Sequence, residues 1–173
     1  MDNKSWLITR NLQEVMGGDQ SVSAMETIMM IRPLHIYWGT ATTGVPHIGY
    51  FVPMAKIADF LRAGCKVTIL LADLHAHLDS MKTPIDLLTH RINFYREIIL
   101  MMLDTIGVDS AKLSFVVGST FQLSTPYTLD MYRLATMTTY RNATKAGADV
   151  VKESSNPTLG PMLYPLLQAL DIH

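Results

Sequence analysis

From about Trp6 to Met16, Leu7 or Ile8, Leu12 and Val15 recur at helical spacing and Gly17-Gly18 supply a stop, so the pattern predicts a short amphipathic helix. Leu34-His35-Ile36-Tyr37-Trp38 reads as a strand ending at Gly39, and the small residues Thr40 to Gly44 read as a loop. A second helix is predicted from near His47, with Phe51, Ala55, Ala58 and Leu61 on one stripe and Gly64 closing it. Val67-Thr68-Ile69-Leu70-Leu71 follows as the continuous apolar run that a strand buried on both faces requires. Strand, loop, helix and strand make a βαβ unit.

The pattern then repeats. Thr83 precedes Pro84 and lies three positions before Asp86, which suggests an N-cap with proline at the first helical position. The stripe Leu88, Ile92, Tyr95, Ile99 and Met102 runs almost to Gly107, and Leu113-Ser114-Phe115-Val116-Val117 gives a third strand. Two successive crossovers between buried-type strands imply a parallel sheet, because a parallel connection needs a helix's length to return. The predicted class is α/β, a doubly wound, Rossmann-like parallel sheet with helices on both faces. Ser124-Thr125-Pro126 opens another helix to about Thr136, and 138–152 reads as a polar loop with helical pieces. Asn156-Pro157 and Gly160-Pro161 break the chain before a last helix, in which Pro165 is tolerable only near the first turn.

Composition narrows the function. The 173 residues fit one domain or a large piece of one. Fourteen basic and fifteen acidic residues leave a formal charge of −1, so there is no overall pull toward phosphate backbones or anionic membrane. With 49% apolar and 17% charged residues the chain is core-rich, and its twelve methionines suit gap filling. The single cysteine, Cys65, excludes an internal disulfide and a thiolate cage made by this chain alone, which suits a reducing compartment. Apolar stretches such as 28–31 are far short of the roughly 18 residues of a membrane span, so a soluble, cytoplasmic protein is expected.

Ligands of open α/β sheets bind outside the carboxyl ends of the strands. After the first strand the sequence offers small residues and then Pro46-His47-Ile48-Gly49-Tyr50, a histidine at the mouth of a helix, where free N–H groups favour an anion. The lysine phosphate loop GxxxxGK[ST] and the dinucleotide GxGxxG are both absent, which disfavours P-loop and nicotinamide chemistry. After the second strand, Asp73, His75, His77 and Asp79 alternate, but the run follows the strand and no third cluster of ligands is evident, so no metal site is assigned. His77 and Asp79 read as solvated loop; for Asp73 and His75, pocket lining and a structural role both stay open. On the last helix Tyr164, Gln168 and Asp171 share one face, while Met162, Leu163, Leu166, Leu167 and Leu170 bury the helix and turn that stripe toward a pocket. His35 reads as a core or sheet-edge histidine and His90 as a solvated one.

These motifs carry a resemblance. The stretch IYWGTATTGVPHIGYFVPMAKIADFLRAGCKVTILLADLHAHLD, the later YPLLQALD and the opening LITRNLQEVMG closely resemble the catalytic domain of tyrosyl-tRNA synthetases of the eukaryotic cytosolic and archaeal type, class I aminoacyl-tRNA synthetases. The resemblance implies activation of L-tyrosine by ATP, with accompanying Mg²⁺, then esterification of tRNA-Tyr, in a cytoplasmic homodimer. By position, His47 takes the place of the first histidine of the family's HIGH motif and would contact the ATP phosphates, while Tyr50 stands where HIGH ends in histidine. Gly39, Thr40, Thr42, Thr43, His47, Gly49 and Tyr50 would line the ATP site. Tyr37, Tyr164, Gln168 and Asp171 would hold the tyrosine, Asp171 next to its hydroxyl, with Asp73 and His75 lining the same cavity.

The resemblance further implies that residues 1–173 are the N-terminal part of the catalytic domain, with about 119–160 as the inserted dimer-contact segment. The KMSKS loop and the anticodon-binding domain have no counterpart in this sequence. A related enzyme, tryptophanyl-tRNA synthetase, and a non-catalytic paralogue keeping only the dimer surface are the alternative readings.

Overall fold

The computed structural model describes residues 3–79, 83–148 and 158–172. Its sheet has three parallel strands in the order β1-β2-β3: β1 His35–Ala41, β2 Lys66–Ala72 and β3 Leu113–Val117. The α/β, Rossmann-like class expected from the sequence is therefore the one observed. The chain divides into two compact units, one of residues 1–39, 46–70 and 95–115, the other of 40–45, 71–94 and 116–173.

In the first unit the chain starts with α1 (Asn3–Thr9) and α2 (Gly18–Ile31). The helix expected from Trp6 to Met16 ends at Thr9 instead. Its end is fixed by Lys56, whose ammonium donates to the carbonyls of Leu7, Ile8 and Arg10 at 2.9, 2.8 and 2.7 Å, and Asn11 then turns left-handed with φ 56°. The Arg10 guanidinium closes on the buried Asp59 carboxylate with two bonds, Nε to Oδ2 at 2.7 Å and Nη2 to Oδ1. Helix α2 has no fully buried residue, and its apolar positions Val22, Met25 and Met29 are half-buried. Ser5 Oγ donates to Glu26 Oε1 at 2.7 Å and ties α1 to α2.

After β1 a 3₁₀ turn, Ile48–Tyr50, leads into α3 (Phe51–Arg62). The buried face of α3 is Met54, Ile57, Ala58 and Leu61 rather than the expected stripe, for Ala55 is exposed. In β2, Val67 and Ile69 are fully buried, and burial pushes the nearby Cys65 thiol pKa upward. α5 (Leu88–Thr105) buries Leu88, Ile92, Tyr95, Ile99 and Leu103, so Leu103 replaces the expected Met102. Gly64 and Gly107 follow α3 and α5 with φ of 89° and 71°, left-handed positions where a side chain would be strained.

In the second unit α4 (Asp73–Leu78) follows β2 without a linker. Thr83 is not the N-cap of α5: Pro84 precedes a 3₁₀ turn, Ile85–Leu87, and the Thr83 hydroxyl is spent elsewhere. After β3 come α6 (Ser119–Gln122), α7 (Thr125–Met137), α8 (Tyr140–Gly147) and α9 (Gly160–Leu170). Ser124 caps α7 as expected, accepting from Tyr127 N. Within the stretch expected as a polar loop with helical pieces, the helical piece is α8, capped by Thr139, whose Oγ1 accepts from Asn142 N at 3.2 Å. The Asn156-Pro157 break lies outside the described residues. Pro165 sits inside α9, beyond the first turn. It removes the donor that the Pro161 carbonyl would meet, and Gly147 lies against that carbonyl, with the position of a Cβ there only 3.1 Å from the oxygen.

Candidate functional site

The second unit gathers three of the expected residues, Asp73, His75 and Tyr164, near the carboxylate of a fourth, Asp171. Asp171, at the end of α9, has a side chain 1% exposed and receives three donations. Gln122 Nε2 donates to both its oxygens, at 2.8 and 3.0 Å, and Tyr127 Oη donates to Oδ1 at 2.8 Å. The carboxylate can only accept, which fixes the orientation of the Gln122 amide. His75 lies 3.7 Å from Asp171 Oδ2 through Nε2, too far for a hydrogen bond. Its ring meets Tyr164 edge-on, with centroids 4.6 Å apart.

Burial lowers the His75 pKa, against the smaller opposing pull of Asp171 and Asp73, and favours the neutral ring. Tyr164 shifts the other way: burial first, then the charges of Asp79 and Asp171, raise its pKa, so the phenol keeps its proton and remains a donor. Asp73 is buried and accepts from Ser119 N at 2.9 Å through Oδ1. Gly118 makes that approach possible, since a Cβ there would stand 3.0 Å from the same oxygen. The result is a buried carboxylate, Asp171, held by the Gln122 and Tyr127 donors, an arrangement fit to accept one more hydrogen bond from a ligand hydroxyl.

Gln168 departs from this group. It is exposed, although Tyr164 is half-buried and the Asp171 side chain is buried. His77 and Asp79, expected in solvated loop, are respectively half-buried and 4% exposed, and His77 Nδ1 lies 3.1 Å from Thr83 O. They belong to α4 and its end, which tucks them inward. Thr42 is fully buried and Thr40 nearly so, while Thr43 is half-exposed. Gln122 and Tyr127 are the residues that sequence reasoning missed; the only signal for them is their place after the carboxyl end of the third strand.

In the first unit, the other expected residues lie on β1 and the turn before α3. Tyr37 is exposed on β1, alternating with the half-buried Ile36 and Trp38. A Cβ at Gly39 would come within 2.7 Å of the Tyr37 hydroxyl, so the glycine leaves room for that ring. His47 is exposed, and its Nδ1 accepts from Gly49 N at 3.1 Å. With Nδ1 as acceptor the ring proton is assigned to Nε2, which can donate to a ligand oxygen. A Cβ at position 49 would meet the His47 ring at 2.8 Å, which explains the glycine. Tyr50 touches His47 and the buried Tyr95 edge-on, at 5.9 and 6.0 Å between centroids. His35 and His90 are both exposed. Among the described residues no group of three or more His, Cys, Asp or Glu side chains could hold a metal ion, and no helix is long and apolar enough to cross a membrane.

Comparison with known proteins gives this arrangement a family. The family model for tRNA synthetases class I (W and Y) matches residues 30–173. The cytoplasmic tyrosine--tRNA ligase of Xenopus tropicalis is 59% identical over 170 residues, covering 98% of this chain and 31% of its own length. That of Saccharomyces cerevisiae is 52% identical over 165 residues, covering 95% of this chain and 41% of its own. The chain thus spans well under half of these relatives. The crystal structure of the Archaeoglobus fulgidus tyrosyl-tRNA synthetase complexed with L-tyrosine superposes with a TM-score of 0.85 at 32% identity, covering 98% of this chain and 50% of that one. With the parallel sheet, the turn carrying His47 and the helix ending in Asp171 all inside the matched span, the chain belongs to the class I tRNA synthetases of the tryptophan and tyrosine group.

Proposed function

We propose that the chain is the N-terminal part of the catalytic domain of a cytoplasmic tyrosine--tRNA ligase, which activates L-tyrosine with ATP and passes the tyrosyl group to tRNA-Tyr. The observation that carries this reading is the buried Asp171 carboxylate, oriented by Gln122 and Tyr127 and flanked by the protonated Tyr164. Tyrosine is the amino acid whose side chain brings a hydroxyl donor on a flat apolar ring, and an indole has no such donor to give. A site built around a hydroxyl rejects the analogue lacking it by roughly 10⁴–10⁵, a range known from tyrosyl-tRNA synthetases themselves rather than one this geometry yields.

In this reading the tyrosine carboxylate attacks the α-phosphorus of ATP, and pyrophosphate leaves. No group of the protein becomes covalently attached, so its contribution is positioning and stabilisation of charge on phosphate oxygens. His47 donates from Nε2 to the phosphates. For the ATP side, Gly39, Gly49 and Tyr50 are assigned beside His47, and Thr40, Thr42 and Thr43 on the segment after Gly39. Tyr164 and Asp171 hold the amino acid, with Asp73 and His75 behind them. Mg²⁺ would accompany the ATP, held largely by phosphate and water. Residues 119–160 supply the contact between two identical subunits. The test is ATP–pyrophosphate exchange by the full-length protein. Exchange dependent on tyrosine and not on tryptophan or phenylalanine is expected; exchange driven by tryptophan would displace the reading.

A further inference from the structure

Three successive carbonyl groups after β1 are taken by side chains of the same unit. Thr83 Oγ1 donates to Thr42 O at 3.0 Å, and Arg91 Nη1 donates to Thr43 O at 2.5 Å and to Gly44 O at 2.9 Å. Thr42 and Thr83 are both 0% exposed, so the first bond is made in the interior, where neither partner has water as an alternative. Thr83 is in turn fixed by its own carbonyl, 3.1 Å from His77 Nδ1 on α4, the helix that carries Asp73 and His75. Arg91 comes from α5. Two separate elements therefore converge on residues 42–44, and none of these bonds is explained by helix or sheet pairing.

A carbonyl oxygen is the negative end of the peptide dipole. A loop that receives phosphate works when its carbonyls are turned away from the anion and a cation stands behind them. Thr83 and Arg91 occupy all three carbonyls here, and Arg91 adds a guanidinium charge to a segment whose own side chains are neutral. We propose that Thr83 and Arg91 are positioning residues for nucleotide binding, holding residues 42–44 in the shape that receives the ATP phosphates. The proposal rests on the reading of this loop as part of the ATP site. It makes α4 a shared support: one side of the helix carries the amino-acid cluster, and His77, through Thr83, holds the nucleotide loop.

Calorimetric titration of the full-length protein with ATP·Mg²⁺, and separately with tyrosine, tests it. Arg91→Gln and Thr83→Val are expected to weaken ATP binding by about tenfold or more, since each leaves a carbonyl without its partner. Tyrosine affinity is expected to change by less than about twofold, as it does not pass through the loop. Thr83→Ser, which keeps the hydroxyl, restores ATP affinity, and Arg91→Lys restores part of it. Arg91 is only partly buried, so its variants stay informative if Thr83→Val does not fold. Unchanged ATP affinity, or equal losses for both ligands, overturns the proposal. Exchange activity separates it from the reading it rests on. Exchange by the unchanged protein with Arg91→Gln silent in ATP binding overturns the positioning role alone. Weakened ATP binding in Arg91→Gln without any exchange by the unchanged protein overturns the ligase reading alone. A protein that binds no ATP overturns both.

Discussion

Gln122 Nε2 donates to both carboxylate oxygens of Asp171, at 2.8 and 3.0 Å, across 49 positions of sequence. With the Tyr127 hydroxyl on Oδ1 at 2.8 Å, the bonds hold a buried carboxylate in one orientation. Hydrogen bonds to a charged group contribute about 1.5–3 kcal/mol each, more than neutral ones. Tyr127→Phe, which removes the hydroxyl and keeps the ring, should lower kcat/KM for tyrosine by about tenfold or more and affect phenylalanine less. Gln122→Leu should act in the same direction and more strongly, since it removes both bonds. An unchanged tyrosine-to-phenylalanine ratio in both variants would mean that Asp171 is not the hydroxyl acceptor.

The second prediction concerns acid. Burial holds the His75 pKa below its usual 6.5, so the folded state takes up that proton less readily than the unfolded chain. Between the folded pKa and 6.5 the unfolded chain binds more protons, and stability therefore rises with pH across that window. Read downward, acidification through 6.5 destabilises the fold until His75 itself is protonated. The charges facing the ring are Asp171, from the end of α9, and Asp73, from its own helix; both oppose the shift without reversing it. Urea unfolding midpoints at about pH 7.5 and 5.5 should differ more in the unchanged protein than in His75→Gln. Equal slopes would remove His75 from the acid response.

Sequence reading reached the strands and the central helices because burial leaves a period. β2 and β3 are apolar runs, and α5 repeats an apolar residue at every turn from Leu88 to Ile99. It failed where structure is held by polar groups from far away. The end of α1 is set by Lys56, 46 positions beyond Arg10. The site divides in the same manner. Tyr164 and Asp171 were legible from helical spacing on an apolar helix. Gln122 and Tyr127 were not, because no local period relates a donor to an acceptor more than 40 positions away. Helical spacing also promised too much: Gln168 shares the arc with Tyr164 and Asp171 but stays exposed.

Gly160 begins α9 against the end of α4. A Cβ there would lie 2.8 Å from the Leu78 carbonyl oxygen, a backbone atom that cannot swing aside. Replacing a helical glycine by alanine gains about 0.5–1 kcal/mol from the backbone, whereas forced overpacking costs about 1–3 kcal/mol. The clash should win, and Gly160→Ala should lower the thermal midpoint by several degrees, roughly 2–8 °C. A raised midpoint would show that α4 and α9 can separate at little cost.

On α7 no side chain is buried, and Leu129, Tyr132 and Met137 are exposed at 49, 65 and 81%. Within the proposed subunit contact these residues meet their own copies or near neighbours, as a two-fold interface requires. Tyr132→Asp then places a charge within that proposed contact and should convert the protein to a monomer in analytical ultracentrifugation. A sedimentation coefficient identical to that of the unchanged dimer would move the contact elsewhere, and a monomer before substitution would remove it.

The last prediction separates the two halves of the proposed site. Asp171 accepts a hydrogen bond that only tyrosine can give, so Asp171→Ala should collapse discrimination between tyrosine and phenylalanine while changing phenylalanine activation far less. Its buried neighbour Gln122 loses its acceptor in that variant, while the Tyr127 hydroxyl keeps the Leu167 carbonyl at 3.0 Å, so some stability is lost too; Asp171→Asn, which keeps one carbonyl oxygen, should retain more of both. In the proposed reading, His47 donates to the phosphates whichever amino acid is bound. His47→Ala should therefore slow both amino acids alike, by about 10²–10³ if it removes one donor from the transition state, leaving their ratio nearly unchanged. The measurement is kcat/KM for both amino acids in all three variants. If His47→Ala shifted the ratio and Asp171→Ala did not, the phosphate and hydroxyl roles would have to be exchanged or abandoned.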